Sequence, residues 1–284
     1  MPEAPSDSSK SSYLYKRHSL RVRLMHWINV LSFTVLLMSG LMIFNAHPAL
    51  DWGKSSYTGK PSLLTIGARS DGTGKLRGVT NVLGHEFNTT GLLGVSGNQE
   101  DIAFPSWITI PSTYSLDAGR QWHFFFAWLL VVNGFLYVVN ASIDGHLKRD
   151  LWPNISDWRG IGRSIIDHIR FRHPHGDEAR RYNILQKLAY LIVILGLFPL
   201  LIICGWAMSP WLDSLVPGWV DILGGRQAAR TLHFIAAWLL VAFVAIHVFE
   251  VLISGAWNQI RSMITGNYRI TDTTTLAEGD HDRR

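Results

Sequence analysis

The chain has a single cysteine in 284 residues. One thiol, Cys204, sits inside an apolar run, which excludes an internal disulfide and a cysteine-ligated iron–sulfur cluster. There is no C-x-x-C-H, so no covalent c-type attachment site either. Charge is also scarce. Only 17% of residues are charged, where a soluble domain carries about a quarter. The deficit is concentrated in four long apolar segments, which marks a polytopic membrane protein. Acidic or polar groups at mid-membrane are almost missing, apart from Asn133 and scattered hydroxyls. No cleavable signal peptide is evident, because the first apolar segment is long and contains a histidine; it reads as a retained anchor.

Tryptophan is plentiful, with twelve residues, as suits a protein with many interfacial anchors. The net charge is +5, but the basic residues cluster beside the apolar segments. They read as topology signals and not as a nucleic-acid surface.

The expected fold class is all-α: a four-transmembrane-helix bundle with a long periplasmic loop and a cytoplasmic amphipathic helix. Residues 1–15, rich in Ser, Pro and Lys, are expected to be disordered. The membrane domain covers 16–270, with spans at about 24–46, 121–143, 186–208 and 228–253. A polar tail, 271–284, follows. The connection 47–118 is Gly-rich, shows no clear periodicity and reads as a docking surface or cap. Its segment Phe104–Ile110 suits a membrane interface. In 144–185, Trp158, Ile161, Ile165 and Ile169 recur at helical spacing, which predicts the amphipathic surface helix. His168, His173 and His175 lie in the same stretch and read as solvated.

The fourth span carries His233 and His247, fourteen residues apart. At about 100° per residue the second returns to within about 40° of the first, roughly 21 Å along the axis. One helix thus presents two imidazoles to one side at two depths. Polar groups inside hydrocarbon are costly and usually functional. Two haems, each with a second histidine from another helix, account for the pair; hydrogen-bonding histidines packed between helices are the plain alternative. Two further histidines are available, His26 in the first span and His123 in the second. Gly40 lies fourteen residues beyond His26, where a missing side chain leaves room for a bulky planar group.

Positive residues set the orientation. Five Lys/Arg fall in the first twenty-four residues, eight in the forty-two of 144–185, and five in the seventy-two of 47–118. The first two regions are therefore expected in the cytoplasm, with both termini, and 47–118 in the periplasm of a bacterial inner membrane. This topology makes a demand on the haem reading, and the sequence meets it. His26 and His247 fall near the cytoplasmic face, and His123 and His233 near the periplasmic one. Two neutral imidazoles fill both axial positions of a haem iron and favour electron transfer over oxygen chemistry. Arg120 and Arg230 each precede a histidine by three residues, one turn toward the surface where haem propionates would lie, and Arg21 and Arg23 suit the other haem. Glu250, one turn beyond His247, reads as an interfacial carboxylate.

With these residues in place the chain resembles the membrane di-haem cytochrome b subunits of the formate dehydrogenase, nickel–iron hydrogenase and thiosulfate reductase type. The resemblance rests on His26, on R-x-x-H at Arg120–His123, on His233 with His247, and on Y-N-x-L-Q-K-L-A-Y at 182–190. It implies two haem b groups, held by His26 with His247 and by His123 with His233. It implies electron transfer between membrane quinone and a periplasmic redox subunit. A molybdopterin enzyme is the first expectation for that partner; a hydrogenase or iron–sulfur subunit is the other. The 47–118 loop is far longer than in such relatives. Two other readings stand beside this one. One is a stand-alone haem oxidoreductase acting on a small diffusible species against quinone. The other is a haem-free histidine-containing transporter.

Overall fold

The computed structural model describes residues 12–56, 59–70, 72–95, 101–145, 147–170 and 183–271. The expectations for residues 1–11, for Tyr182, His173 and His175, and for the tail beyond 271 lie outside these. Among the described residues four helices are long and apolar enough to cross a membrane. The chain divides into two units, one of Met1–His26, Val138–Leu191 and Val244–Arg284, the other of Trp27–Tyr137 and Ile192–Phe243. Each unit contains a length of every span.

The first unit begins with β1, Ser12–Lys16, which pairs antiparallel with a strand at Asn267–Thr271 near the other end of the chain. Ser12–Tyr15 are thus ordered by strand pairing, a correction to the expected disorder. The first span, α1, runs Leu20–Asn45. Its polar start is fixed by Ser19, whose Oγ accepts from the Val22 N–H at 3.4 Å. The helix therefore begins before the apolar run and takes in Arg21 and Arg23, because capping sets its end and hydropathy does not.

The second unit contains the 47–118 connection, and here the all-α expectation is corrected. Strands β2 (Ala49–Leu50), β3 (Leu64–Ser70), β4 (Leu76–Val82) and β5 (His85–Asn88) form an antiparallel sheet in that order. A second pair, β6 (Gly94–Val95) and β7 (Asp101–Ile102), packs beside it. Gly78 is required by this packing: a Cβ there would lie 2.1 Å from the Leu93 carbonyl oxygen. The register places Leu50, Leu64, Ile66, Thr80, Val82 and Phe87 on one face. Leu50 and Ile66 of that face are buried in a cluster with Leu41 and Phe44 of α1 and with Phe104. The two-residue turn between β4 and β5 is Leu83–Gly84, with φ of 52° and 88°. A leucine in the left-handed region costs on the order of 1 kcal/mol.

The second span, α2, runs Leu116–Ile143 from a Ser115 cap whose Oγ accepts from the Ala118 N–H. In the 144–185 stretch the expected single amphipathic helix is two pieces, α3 (Ile155–Arg159) and α4 (Ile161–Ile169), divided at Gly160. α3 opens with a capping box between Asn154 and Asp157.

The third span is α5 (Ile184–Leu191), a π-helical turn at Ile192–Leu197, and α6 (Phe198–Ala207). Pro199 has no N–H to offer the preceding turn, and the wider π turn accommodates the loss. Asn183 and Gln186 bond each other's backbone N–H groups at the start of α5. This capping box is the physical content of the Y-N-x-L-Q segment. After α7 (Pro210–Leu215) the fourth span, α8, runs Arg226–Ile253. The Gly53 carbonyl accepts from the Gln227 and Ala228 N–H groups, satisfying the start of α8. A last helix, α9 (Ala256–Thr265), leads to β8 (Asn267–Thr271), the partner of β1.

Candidate functional site

The four histidines meet in two pairs, one in each unit. In the first unit His26 of α1 and His247 of α8 have ring centres 6.4 Å apart, with planes at 66°. In the second, His123 of α2 and His233 of α8 lie 6.2 Å apart at 60°. These are the pairs that span direction predicts. None of the four stands at van der Waals stacking distance. An iron bound at about 2 Å by a nitrogen of each ring sets the ring centres roughly 6 Å apart.

The second-unit rings are held by their Nδ1 atoms. Nδ1 of His123 is 3.1 Å from Ser39 Oγ. That hydroxyl donates its own proton to the Val35 carbonyl at 2.6 Å, so it accepts from the imidazole N–H. Nδ1 of His233 donates to the Leu201 carbonyl at 2.9 Å. Both rings thereby carry their proton on Nδ1, and Nε2 keeps its lone pair for a metal.

Each of these rings also rests against a glycine. A Cβ on Gly40 would lie 3.4 Å from His123 Cε1, and one on Gly205 would lie 3.6 Å from His233 Cε1. Gly40 therefore makes room for the imidazole, where the sequence suggested room for the planar group itself. Gly119, four residues before His123, brings α2 close to α1: a Cβ there would lie 2.8 Å from the fully buried Met42 side chain. Lower in α1, Asn29 accepts from Asn133 at 2.7 Å. That pairing satisfies the Asn133 amide noted in the sequence.

The arginines are less uniform. Arg230 donates to the His47 carbonyl, and its guanidinium lies 5.6 Å over the Phe44 ring. Arg120 is exposed, 5.6 Å over Phe124 of its own helix. Arg23 donates to the Ile264 carbonyl, while its Nε is buried with no hydrogen-bond partner among the described residues. Arg21 is exposed. Cys204 is fully buried beside Gly205, a packed thiol.

Sequence reading missed Ser39, Gly205 and the Leu201 carbonyl. Ser39 was open to discovery as a hydroxyl beside Gly40 within a span. A backbone carbonyl has no sequence signature.

Taken together, these features define a four-span membrane protein with paired imidazoles arranged for b-type haem. The prokaryotic cytochrome b561 family matches residues 17–266, and the chain belongs to that family. A putative protein-methionine-sulfoxide reductase subunit, YedZ1, of Azospira oryzae is 28% identical over 238 residues, covering 84% of this chain and 91% of the relative. A probable Ni/Fe-hydrogenase B-type cytochrome subunit of Cupriavidus necator is 21% identical over 277 residues, covering 93% and 89%. The chain is thus an integral membrane protein of haem electron transfer, and this excludes the haem-free transporter. The residues present fit the group: two imidazole pairs at the required separation, with anchored Nδ1 atoms in one pair.

Proposed function

We propose that the chain carries electrons across the inner membrane of a bacterium between the quinone pool and a periplasmic redox enzyme. His26 and His247 hold one haem b, and His123 and His233 hold the other. The meeting of all four histidines in two ligand-spaced pairs carries this reading. Haem, when bound, supplies the one-electron chemistry. The chain supplies the rest. Its paired imidazoles would hold the haems, Ser39 and the Leu201 carbonyl fix two of the rings, and the apolar spans exclude water. Arg120 and Arg230 stand one turn from His123 and His233 and suit that haem's propionates. Arg23, with its spare Nε, suits the other's, with Arg21 beside it.

Both termini are assigned to the cytoplasm on the positive-residue bias. The membrane domain is assigned to 16–270, with the sheet-bearing 47–118 connection as the periplasmic docking cap. One relative is named for a methionine-sulfoxide reductase and the other for a hydrogenase. Both names point to an enzyme that takes or gives electrons, and a molybdopterin oxidoreductase remains our assignment.

The test is pyridine haemochrome quantification with a reduced-minus-oxidised spectrum on the purified protein. We expect two haems b per chain, one lost in His26→Ala and the other in His123→Ala. A single haem in the native chain, or two retained in either variant, would overturn the two-pair scheme. Retained turnover of a small oxidant in the chain alone would instead support a stand-alone oxidoreductase.

A further inference from the structure

We propose that the β4–β5 hairpin of the cap is a membrane anchor that lays the sheet against the lipid headgroups. Ile66, Thr80 and Phe87 form one cross-strand row, and Leu64, Val82 and His85 form the next, on the same face. At the β3 end this face is buried on membrane helices, in the cluster of Leu41, Phe44, Leu50, Ile66 and Phe104, with Leu37 and Phe234 against it. The face therefore points toward the helices that enter the bilayer. At the β5 end it is exposed and carries Phe87 and Val82 beside His85. Phe87 is 55% exposed and Val82 39%. The turn adds Leu83, 68% exposed and held at φ 52°. Asn or Gly is the favoured residue at that position, and a bare leucine there offers an apolar side chain to an apolar neighbour.

The other face is mainly polar. Thr65, Arg69, Arg77, Asn81 and Glu86 fall on it by the same register, with Gly67 and Val79 between them. Arg69 and Glu86 make two hydrogen bonds of 2.9 and 3.1 Å across it. An apolar face toward the helices and a charged face away from them is the division expected of an element lying in the interface. The same cap also contacts the first span well inside its end. The Ile110 N–H donates to the Met38 carbonyl. Met38 lies seven residues inside the end of α1, about 10 Å down its axis. Trp107, 79% exposed, precedes that contact, as an interfacial tryptophan would.

The occupant is thus a lipid surface, and a protein partner on the apolar tip is the competing outcome. Nitroxide labels at Leu83→Cys and Phe87→Cys, with Arg77→Cys as the opposite-face control, test it in a Cys204→Ala background. The full haem-loaded chain is placed in phosphatidylethanolamine–phosphatidylglycerol vesicles. Label collisions with oxygen and with a water-soluble nickel chelate are then compared, and the optical spectrum confirms that each variant is folded. We expect labels at 83 and 87 to favour oxygen several-fold over the chelate, and the label at 77 to favour the chelate. Equal access of the chelate to all three sites would overturn the proposal. So would protection of 83 and 87 that arises only when a soluble redox partner is added.

Discussion

Ser39 and Gly40 are consecutive residues of α1, and both act on the same imidazole. Ser39 accepts the His123 Nδ1 proton, and Gly40 gives the ring its space. Removing the hydroxyl leaves a buried N–H without a partner inside the membrane, where no water replaces it. Loss of such an outer partner costs about 10–100-fold in metal-group affinity. Ser39→Ala is therefore expected to weaken haem binding at the His123–His233 pair by that factor and to leave the His26–His247 pair unchanged. Haem titration of the apoprotein, followed by optical spectra at each step, measures both. Gly40→Leu is expected to do more and remove one haem outright, because its Cβ alone already touches Cε1 of the ring. Gly134→Ala is the matched control, since a Cβ there meets nothing within 4 Å. If both glycine variants keep full haem content, Gly40 has no part in seating the ligand.

The elements differ in how much of them the sequence revealed. The spans were legible because each carries a long uncharged run, and α8 showed its two histidines at whole-turn spacing. The start of α5 was equally open to reading, since Asn183 and Gln186 form an ordinary capping box. The sheet was not. In LRGVTNV one face includes Gly78, which the Leu93 carbonyl approaches closely, and Thr80, which bonds Thr89, so alternation is erased. The join of α3 to the third span was also hidden, because it includes an ion pair distant in sequence. Lys187 Nζ donates to Asp157 at 2.8 Å, and both side chains are largely buried. Burial alone would raise the Asp157 pKa. The Lys187 hydrogen bond, the Asn154 N–H and the Lys187 charge outweigh it and hold the carboxyl below its ordinary value. A free aspartate titrates near about 3.9. The lowered folded value means that the pair's stabilisation is full above that pH and is lost as pH falls through the folded value. Thermal melts of the detergent-solubilised protein are expected to fall through this acid range. Asp157→Asn is expected to be less stable at neutral pH and to show a shallower acid decline. An unchanged acid slope would assign the decline to other carboxylates.

At the scale of the molecule, the proposed function depends on two surfaces that composition does not distinguish: a face toward lipid and a face toward the redox partner. The histidine pairing was deducible before any coordinates, because span direction alone matches His26 with His247 and His123 with His233. The proposed docking face was not, because the residues that would form it lie on two strands and come together only through register. Arg69 stands directly opposite Arg77 on the sheet's outward face. Arg69 shares its charge with Glu86, so Arg77 is the residue whose reversal changes the face most without breaking a pair described there. Like charges on neighbouring strands are unfavourable, and their retention is explained if an acidic surface docks on them. Electrostatic steering of this kind raises association rates by roughly 10–10³-fold and fades with salt. Arg77→Glu is therefore expected to slow electron exchange with the periplasmic partner by roughly tenfold or more at low ionic strength. The deficit should shrink as salt rises, while haem content and reduction by quinol stay at the native level. Stopped-flow reduction of the haems by each donor separates these rates. A variant that matches the native chain with both donors at low salt would place docking elsewhere on the cap, whereas one slowed with quinol as well would show that the substitution damages the membrane domain itself.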